Sequence, residues 1–300
     1  MKGRWLHNKD IDLKKWDELV KNSIHATVFN TAHYLSAVCN NWHAYLTEDY
    51  SLGIPVGVSE ILGIKSIYPP VFHRYSEILG DSSLFDLESF TYSMHKTFSA
   101  GQLNFKTDEL GNTHNSFVYQ TVSPDKIKLK SHARRMINKF ERSSMQIEMN
   151  NDQSKEVLSF IKSELSKKMS LYSKKTAEGL DKIISDLPEE IRLLTLVLLD
   201  KDKICGGLIG LEFNNITLYL KGATTEEAKN NGGMYALMNT LIKKSFERGN
   251  SFDFGGSRVE GVRFFNTRFN AEDKTYFCYQ WDNSPAWFKQ LKRINEWRKK

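Results

Sequence analysis

Three hundred residues, 40% hydrophobic and 26% charged, give enough chain for two ordinary domains with real cores and the composition of a soluble protein. No run approaches the ~18–20 apolar residues that span a bilayer, the first twelve residues mix charges with Trp5 and lack a signal core, and Cys39, Cys205 and Cys278 are too few and scattered for a disulfide framework. A cytoplasmic chain without a transmembrane segment is expected, and the net charge of +6 favours an anionic partner: nucleic acid, a phosphorylated donor or an anionic lipid surface.

In chain order, residues 12–21 and 31–41 read as helices, the second with Asn30 or Thr31 as N-cap. Three β-rich pieces follow at 43–47, 53–59 and 64–68, the last stopped by Pro69-Pro70. The irregular stretch holding Phe72, His73, Tyr75 and Phe85 reads as a loop tucked onto its own core, with the wall of a cleft as the alternative. A helix at 84–98 and strands at 102–106 and 117–122 complete this half. Residues 124–142 read as one helix, with Pro near its first turn. It carries Lys126, Lys128, Lys130, His132, Arg134, Arg135, Lys139 and Arg142 against an apolar side of Ile127, Ala133, Met136, Ile137 and Phe140. That charge is either a solvated face or a phosphate or RNA contact.

Beyond it the pattern is regular: a strand at 145–149, helices at 153–171 and 177–187, then strands at 192–199, 204–213 and 216–223. Asp200-Lys201-Asp202 and Asn214-Asn215 join the last three as hairpin turns. A polar turn ends in Asn231-Gly232-Gly233, and a helix beginning at Met234 stops at Gly249. A strand at 251–254, a short helix through Phe264-Phe265, a strand at 275–281 and a terminal helix at 285–300 close the chain. The terminal helix has Trp287, Leu291 and Ile294 on one side and is otherwise rich in Lys and Arg. Packing on its domain is the plainer reading, peripheral docking on a membrane surface the other.

All eight histidines lie at or before His132, so the second half offers no histidine base and no histidine-based metal site. No cysteine pair has zinc-finger spacing and no Gly-x-Ser-x-Gly elbow occurs, so neither a metal nor serine-hydrolase chemistry is expected. Acyl transfer asks less of a protein: a donor carbonyl and a nucleophile held in line, stabilisation of the oxyanion, and an exit for one proton. Gly232-Gly233 at the mouth of a helix leaves backbone N–H groups able to face a phosphate.

The run Asp253-Phe254-Gly255-Gly256-Ser257, with Gly261-Val262, Phe264-Phe265 and Arg268-Phe269, resembles the C-terminal signature of the Fem peptidyltransferases and of the acetyltransferase-like domains grouped with them in the GNAT superfamily. Tyr219-Leu220-Lys221-Gly222-Ala223 and the Gly232-Gly233 helix fall where that family has its fourth strand and donor helix. Ser131-His132-Ala133-Arg134-Arg135 with Lys139 resembles its basic entry helix, and Phe29-Asn30-Thr31, Tyr34-Leu35 and Trp42 its N-terminal segment. Two positions depart from the pattern: Asn266, where Fem enzymes often carry Lys, and Lys229, where the GNAT pyrophosphate turn prefers Gln or Arg.

The resemblance implies an α/β (α+β, mixed-sheet) fold of two tandem GNAT-like domains, a degenerate one over 1–124 and a more complete one over 125–300. It implies an N-acyltransferase taking its acyl group from acyl-CoA or aminoacyl-tRNA, with the amine of a small molecule or of a cell-envelope or polysaccharide precursor as acceptor. The missing Lys and the lack of a long inserted helical arm favour acyl-CoA. The donor would lie beside Tyr219, Leu220 and Lys221, with its phosphates at Asn231, Gly232, Gly233 and Met234. Tyr219 is the candidate acid and Asp253 the candidate proton acceptor, with strand packing and a turn cap as their structural alternatives. Arg134, Arg135, Lys139, Arg263 and Arg268, with Arg258, are spaced to meet an anionic substrate. A turn open to a pyrophosphate would tolerate Gly233→Asp in folding while losing CoA binding. A non-catalytic GNAT-fold module that binds RNA through 126–142 is the rival reading.

Overall fold

The computed structural model describes residues 3–111, 115–168, 174–256 and 259–297. Two compact units divide the chain: Met1–Phe117 with Tyr276–Lys300, and Val118–Thr275. A division at 124/125, as the sequence suggests, would leave 276–300 with the second unit.

In the first unit, Arg4–His7, Trp42–Leu46, Leu52–Ile61 and Ile64–Tyr68 form an antiparallel ladder. Ile64–Tyr68 then runs parallel to Ala100–Phe105, which pairs antiparallel with residues 277–282 of the strand Glu272–Asp282. The apolar alternation of Leu52–Ile61 puts Ile54, Val56 and Val58 into a core with Phe90, Met94, Phe98, Leu103 and Phe105. Asp12 caps the helix Leu13–Asn22 by accepting from the N–H groups of Lys14 and Lys15, which seats the fully buried Trp16. The stretch after Pro70 is a loop packed on its own core. The Arg74 guanidinium lies over the rings of Phe29 (5.0 Å) and Tyr75 (4.9 Å), and Glu77 accepts the Lys106 ammonium at 2.5 Å.

His73 in that loop is 7% exposed and packs edge-on against Phe29. Burial first, and the Arg74 charge second, lower its pKa from 6.5 to about 4. The folded imidazole therefore stays neutral where the unfolded one takes a proton. The unfolded state binds more protons between those two values, so stability is full above pH 6.5 and is lost as pH falls toward 4. This group contributes up to roughly 3 kcal/mol of that loss. Urea unfolding at pH 7 and pH 5 should show a smaller difference for His73→Gln than for the wild type; equal differences would remove the histidine from the account.

The second unit contains residues 118–122 of β1 (Asn115–Val122), α1 (Ser131–Glu141), β2 (Gln146–Met149), α2 (Ser154–Lys168), α3 (Lys174–Ile184), β3 (Arg192–Asp200), β4 (Lys203–Phe213), β5 (Ile216–Thr224), α4 (Glu226–Asn230), α5 (Gly233–Glu247), β6 (Ser251–Asp253) and α6 (Glu260–Asn266). Its sheet order is β1-β6-β5-β4-β3-β2. The strands β2 to β5 are antiparallel neighbours, β5 and β6 are parallel, and β6 and β1 antiparallel. Lys201-Asp202 and Asn214-Asn215 all have positive φ, as two-residue hairpin turns require. Gly207 lets α2 approach β4, since a Cβ there would stand 2.6 Å from Val157. Leu196, Leu208, Leu237, Leu241, Phe252 and Phe269 fill the core.

Residues 124–142 are not one helix. Pro124–Lys126 is a single 3-10 turn, and the α-helix begins only at Ser131. Between them Ile127 and Leu129 pack on the core while Lys128 and Lys130 are exposed, an alternation of period two that extended chain satisfies and helix does not. The polar turn after β5 holds the short α4, capped by Thr225, whose hydroxyl accepts from the Ala228 N–H.

Candidate active site

β5 and β6 pair over three residues only: Ile216 with Ser251, Thr217 with Phe252 and Leu218 with Asp253. β6 then ends, while β5 continues to Thr224. At the same level the register of β5 against β4 slips, Tyr219 facing Gly210 and Lys221 facing Ile209, so Leu220 is an extra residue on β5. A bulge of this kind bends its strand. The two parallel strands thus part just beyond Leu218 and Asp253.

The residues bordering this opening are Tyr219, Leu220 and Lys221 on β5 and Asp253 and Gly255 after β6. Asp253 is 4% exposed, and its Oδ1 accepts the Gly255 N–H at 2.8 Å. Gly255, at φ 79°, lies so close to the Tyr219 carbonyl that a Cβ would stand 2.5 Å from its oxygen. The Tyr219 hydroxyl donates to the Gly222 carbonyl at 3.5 Å, and burial raises its pKa, so the phenol stays protonated. Burial shifts Lys221 the other way, lowering the pKa of its ammonium.

The turn at Gly232 differs from the open cradle expected of it. The Asn231 N–H donates to Glu227 and the Gly232 N–H to Lys229, both at 3.0 Å, so two of the four expected phosphate donors are committed within the turn. Helix α1 lies across it. Gly232, at φ 85°, leaves no room for a Cβ beside the Met136 carbonyl, Lys139 Nζ donates to the Asn230 carbonyl at 2.8 Å, and the His132 and Tyr235 rings meet at 5.4 Å. Gly233 is buried too, and a Cβ there would stand 2.7 Å from Leu198 and 2.9 Å from the Ala228 carbonyl. Gly233→Asp is therefore a packing lesion, and near-normal folding is not expected of it. Met234 is half-buried.

Arg134 and Arg135 are exposed on the outer side of α1, with Arg135 Nη2 3.0 Å from His132 Nδ1. Arg263 is paired with Asp273, which also accepts from Gln120 at 3.0 Å. The Arg268 guanidinium lies 4.1 Å over the Phe264 ring. Arg258 lies outside the described residues. Asn266, which stands where a Lys was expected, is 3% exposed. The sequence-predicted residues thus separate into the opening (Tyr219, Leu220, Lys221, Asp253), the strapped turn (Lys139, Asn231 to Met234) and the flank of α6 (Arg263, Arg268). Sequence reasoning misses Gly255 on the Tyr219 carbonyl, Met136 on Gly232 and the bulge itself. Gly210, a lone glycine in a strand pattern opposite the bulge, is the available signal.

Residues 128–264 match the family model for the acetyltransferase (GNAT) domain. Among solved structures, FemX superposes with a TM-score of 0.65 at 11% identity, covering 91% of this chain and 96% of that one. L-PGS from Bacillus licheniformis gives 0.62 at 12% identity, over 95% and 96% of the two chains. The chain has a Fem-like GNAT fold. The C-terminal domain of a lysylphosphatidylglycerol synthetase from Agrobacterium fabrum, so described, shares this fold with a TM-score of 0.62 at 13% identity over 93% of each chain. No curated protein matches the sequence. Within the GNAT fold of the second unit, β2 to β6 follow one another in sequence, whereas β1 precedes them all and lies beside β6. Among the described residues no cluster of His, Cys, Asp and Glu could hold a metal ion, and no helix is long and apolar enough to cross a membrane.

Proposed function

We propose that the protein is an N-acyltransferase that passes an aminoacyl group from tRNA to an amine of a cell-envelope or polysaccharide precursor. The observation that carries this is the parting of β5 from β6 at the Leu220 bulge, which frees backbone to line a donor carbonyl in a GNAT fold. The acceptor amine attacks the ester carbonyl, the tetrahedral oxyanion is met by N–H groups around Leu220 and Lys221, the carbon–oxygen ester bond breaks, and a proton from the amine ends on the leaving ribose oxygen. Tyr219, Lys221 and Asp253 are the ionisable side chains on the two strands that border the opening. Tyr219 is turned back onto its own strand and Asp253 holds the Gly255 turn, so positioning, more than a dedicated base, is the source of rate.

Helix α1 supports tRNA over acyl-CoA as donor, against the lean of the sequence. Its Met136 carbonyl closes on Gly232, and two of the turn's N–H groups are spent within the turn, which leaves less of it for a pyrophosphate; Arg134 and Arg135 are exposed, where a longer polyanion could reach them. The test uses tRNA charged with labelled amino acids, offered with extracts of amine-bearing envelope precursors, beside a thermal-shift titration with acetyl-CoA. Label should move into a base-stable amide, and acetyl-CoA should leave the melting temperature unchanged. Saturable stabilisation by acetyl-CoA without tRNA binding would reverse the donor. tRNA binding that never leads to transfer would leave the RNA-binding module.

A further inference from the structure

The helix α7 (Ala286–Trp297) is seated by Phe288, which is 3% exposed, and by Lys289, whose ammonium donates to the Asp282 carbonyl at 2.9 Å. Just before and just after that anchor, apolar residues are exposed. Trp287 is 47% exposed and Leu291 40% exposed, four residues apart and so on one side of the helix. Trp287 has the buried Phe288 ring 5.6 Å away and is left with close to half of its surface uncovered. Across 285–300 the sequence has six Lys or Arg residues against the acidic Glu296. Exposed indole and leucine beside a basic chain end leave apolar area in water that burial would stabilise by roughly 25 cal/mol per Å².

We propose that α7 is an interfacial helix that lies on an anionic lipid surface, with Trp287 and Leu291 at the boundary of headgroups and acyl chains, in a terminal segment whose sequence is basic. The charge balance selects an anionic partner, and the two apolar groups select one with an apolar layer just beneath its charge. A nucleic acid backbone offers phosphate but nothing for Leu291. A protein partner requires roughly 800 Å² per side, far more than two side chains supply. Indole in particular settles at the depth of the headgroups.

The full chain is sedimented with vesicles of phosphatidylcholine alone and with vesicles that also contain phosphatidylglycerol. It should pellet with the second and not the first, less so at high salt, and Trp287→Asp/Leu291→Asp should lower the partition coefficient about tenfold or more. Acyl chains brominated near the headgroup should quench an emission component that is missing in Trp287→Phe, a variant conservative enough to fold. The proposal is overturned if the wild type stays in the supernatant, if it binds both vesicles alike, if the double variant pellets as the wild type does, or if no Trp287-dependent quenching appears. Self-association or RNA binding lost in the double variant while vesicles bind neither protein also overturns it.

Discussion

Gly232→Ala is expected to destabilise the second unit by roughly 2–5 kcal/mol, a large part of the ~5–15 kcal/mol that holds a typical domain together. Two costs combine. A side chain at φ 85° pays ~1–2 kcal/mol for the left-handed conformation, and its Cβ must displace the Met136 carbonyl, a backbone atom in the middle of α1, at ~1–3 kcal/mol. Gly249 supplies the control. It has φ 76° at the C-terminal end of α5, and a methyl group there would meet nothing within 4 Å. Gly249→Ala should thus lose only the conformational ~1–2 kcal/mol. Urea unfolding of the two variants separates strain from contact, and equal losses would mean that α1 does not press on the turn.

Arg134→Glu/Arg135→Glu is expected to weaken tRNA binding ~100-fold or more at low salt, and to flatten the slope of log affinity against log salt by about 2 if each arginine meets one phosphate. Both side chains are exposed, so stability should change by no more than ~0.5 kcal/mol per site. Lys139, grouped with them in the sequence, behaves differently. Its ammonium is bonded to the Asn230 carbonyl, and Lys139→Ala should loosen the α1 strap while leaving the salt slope nearly intact. Filter binding across a salt series reads both variants. An unchanged slope in the double arginine variant would separate α1 from any nucleic acid.

The element order is legible in the sequence because each element obeys a local rule. β3, β4 and β5 are apolar runs bounded by hairpin turns whose Asn and Asp residues adopt positive φ, and α5 ends where Gly249 does. Where local rules compete, the sequence misleads. Lys128 and Lys130 look like part of a basic helix in composition, yet Ile127 and Leu129 beside them obey a strand period, and tertiary burial of those two decides the conformation. In the candidate site, family likeness points to Tyr219 to Lys221 and Asp253, and the bulge brings them to one opening. In the sequence Gly232 looks like absence of bulk for a ligand's sake. The neighbour that needs the space is Met136, 96 residues earlier by number, and no local pattern in the sequence marks such a partner.

The placement of β1 has a consequence for how the chain is made. Val122 pairs with Phe252, 130 residues later, through a β6 of only three residues. During synthesis β1 emerges long before its partner and waits with unpaired N–H and C=O groups, while β2 to β5 assemble from near neighbours. Closure is a late event of high contact order that pays its loop entropy before any pairing rewards it. Until β6 arrives, both β1 and the outer side of β5 are free strand edges, able to pair with another nascent chain. The short strand that opens the site therefore also joins β1 to β5, and the window for misassembly at these two edges lasts until it is in place.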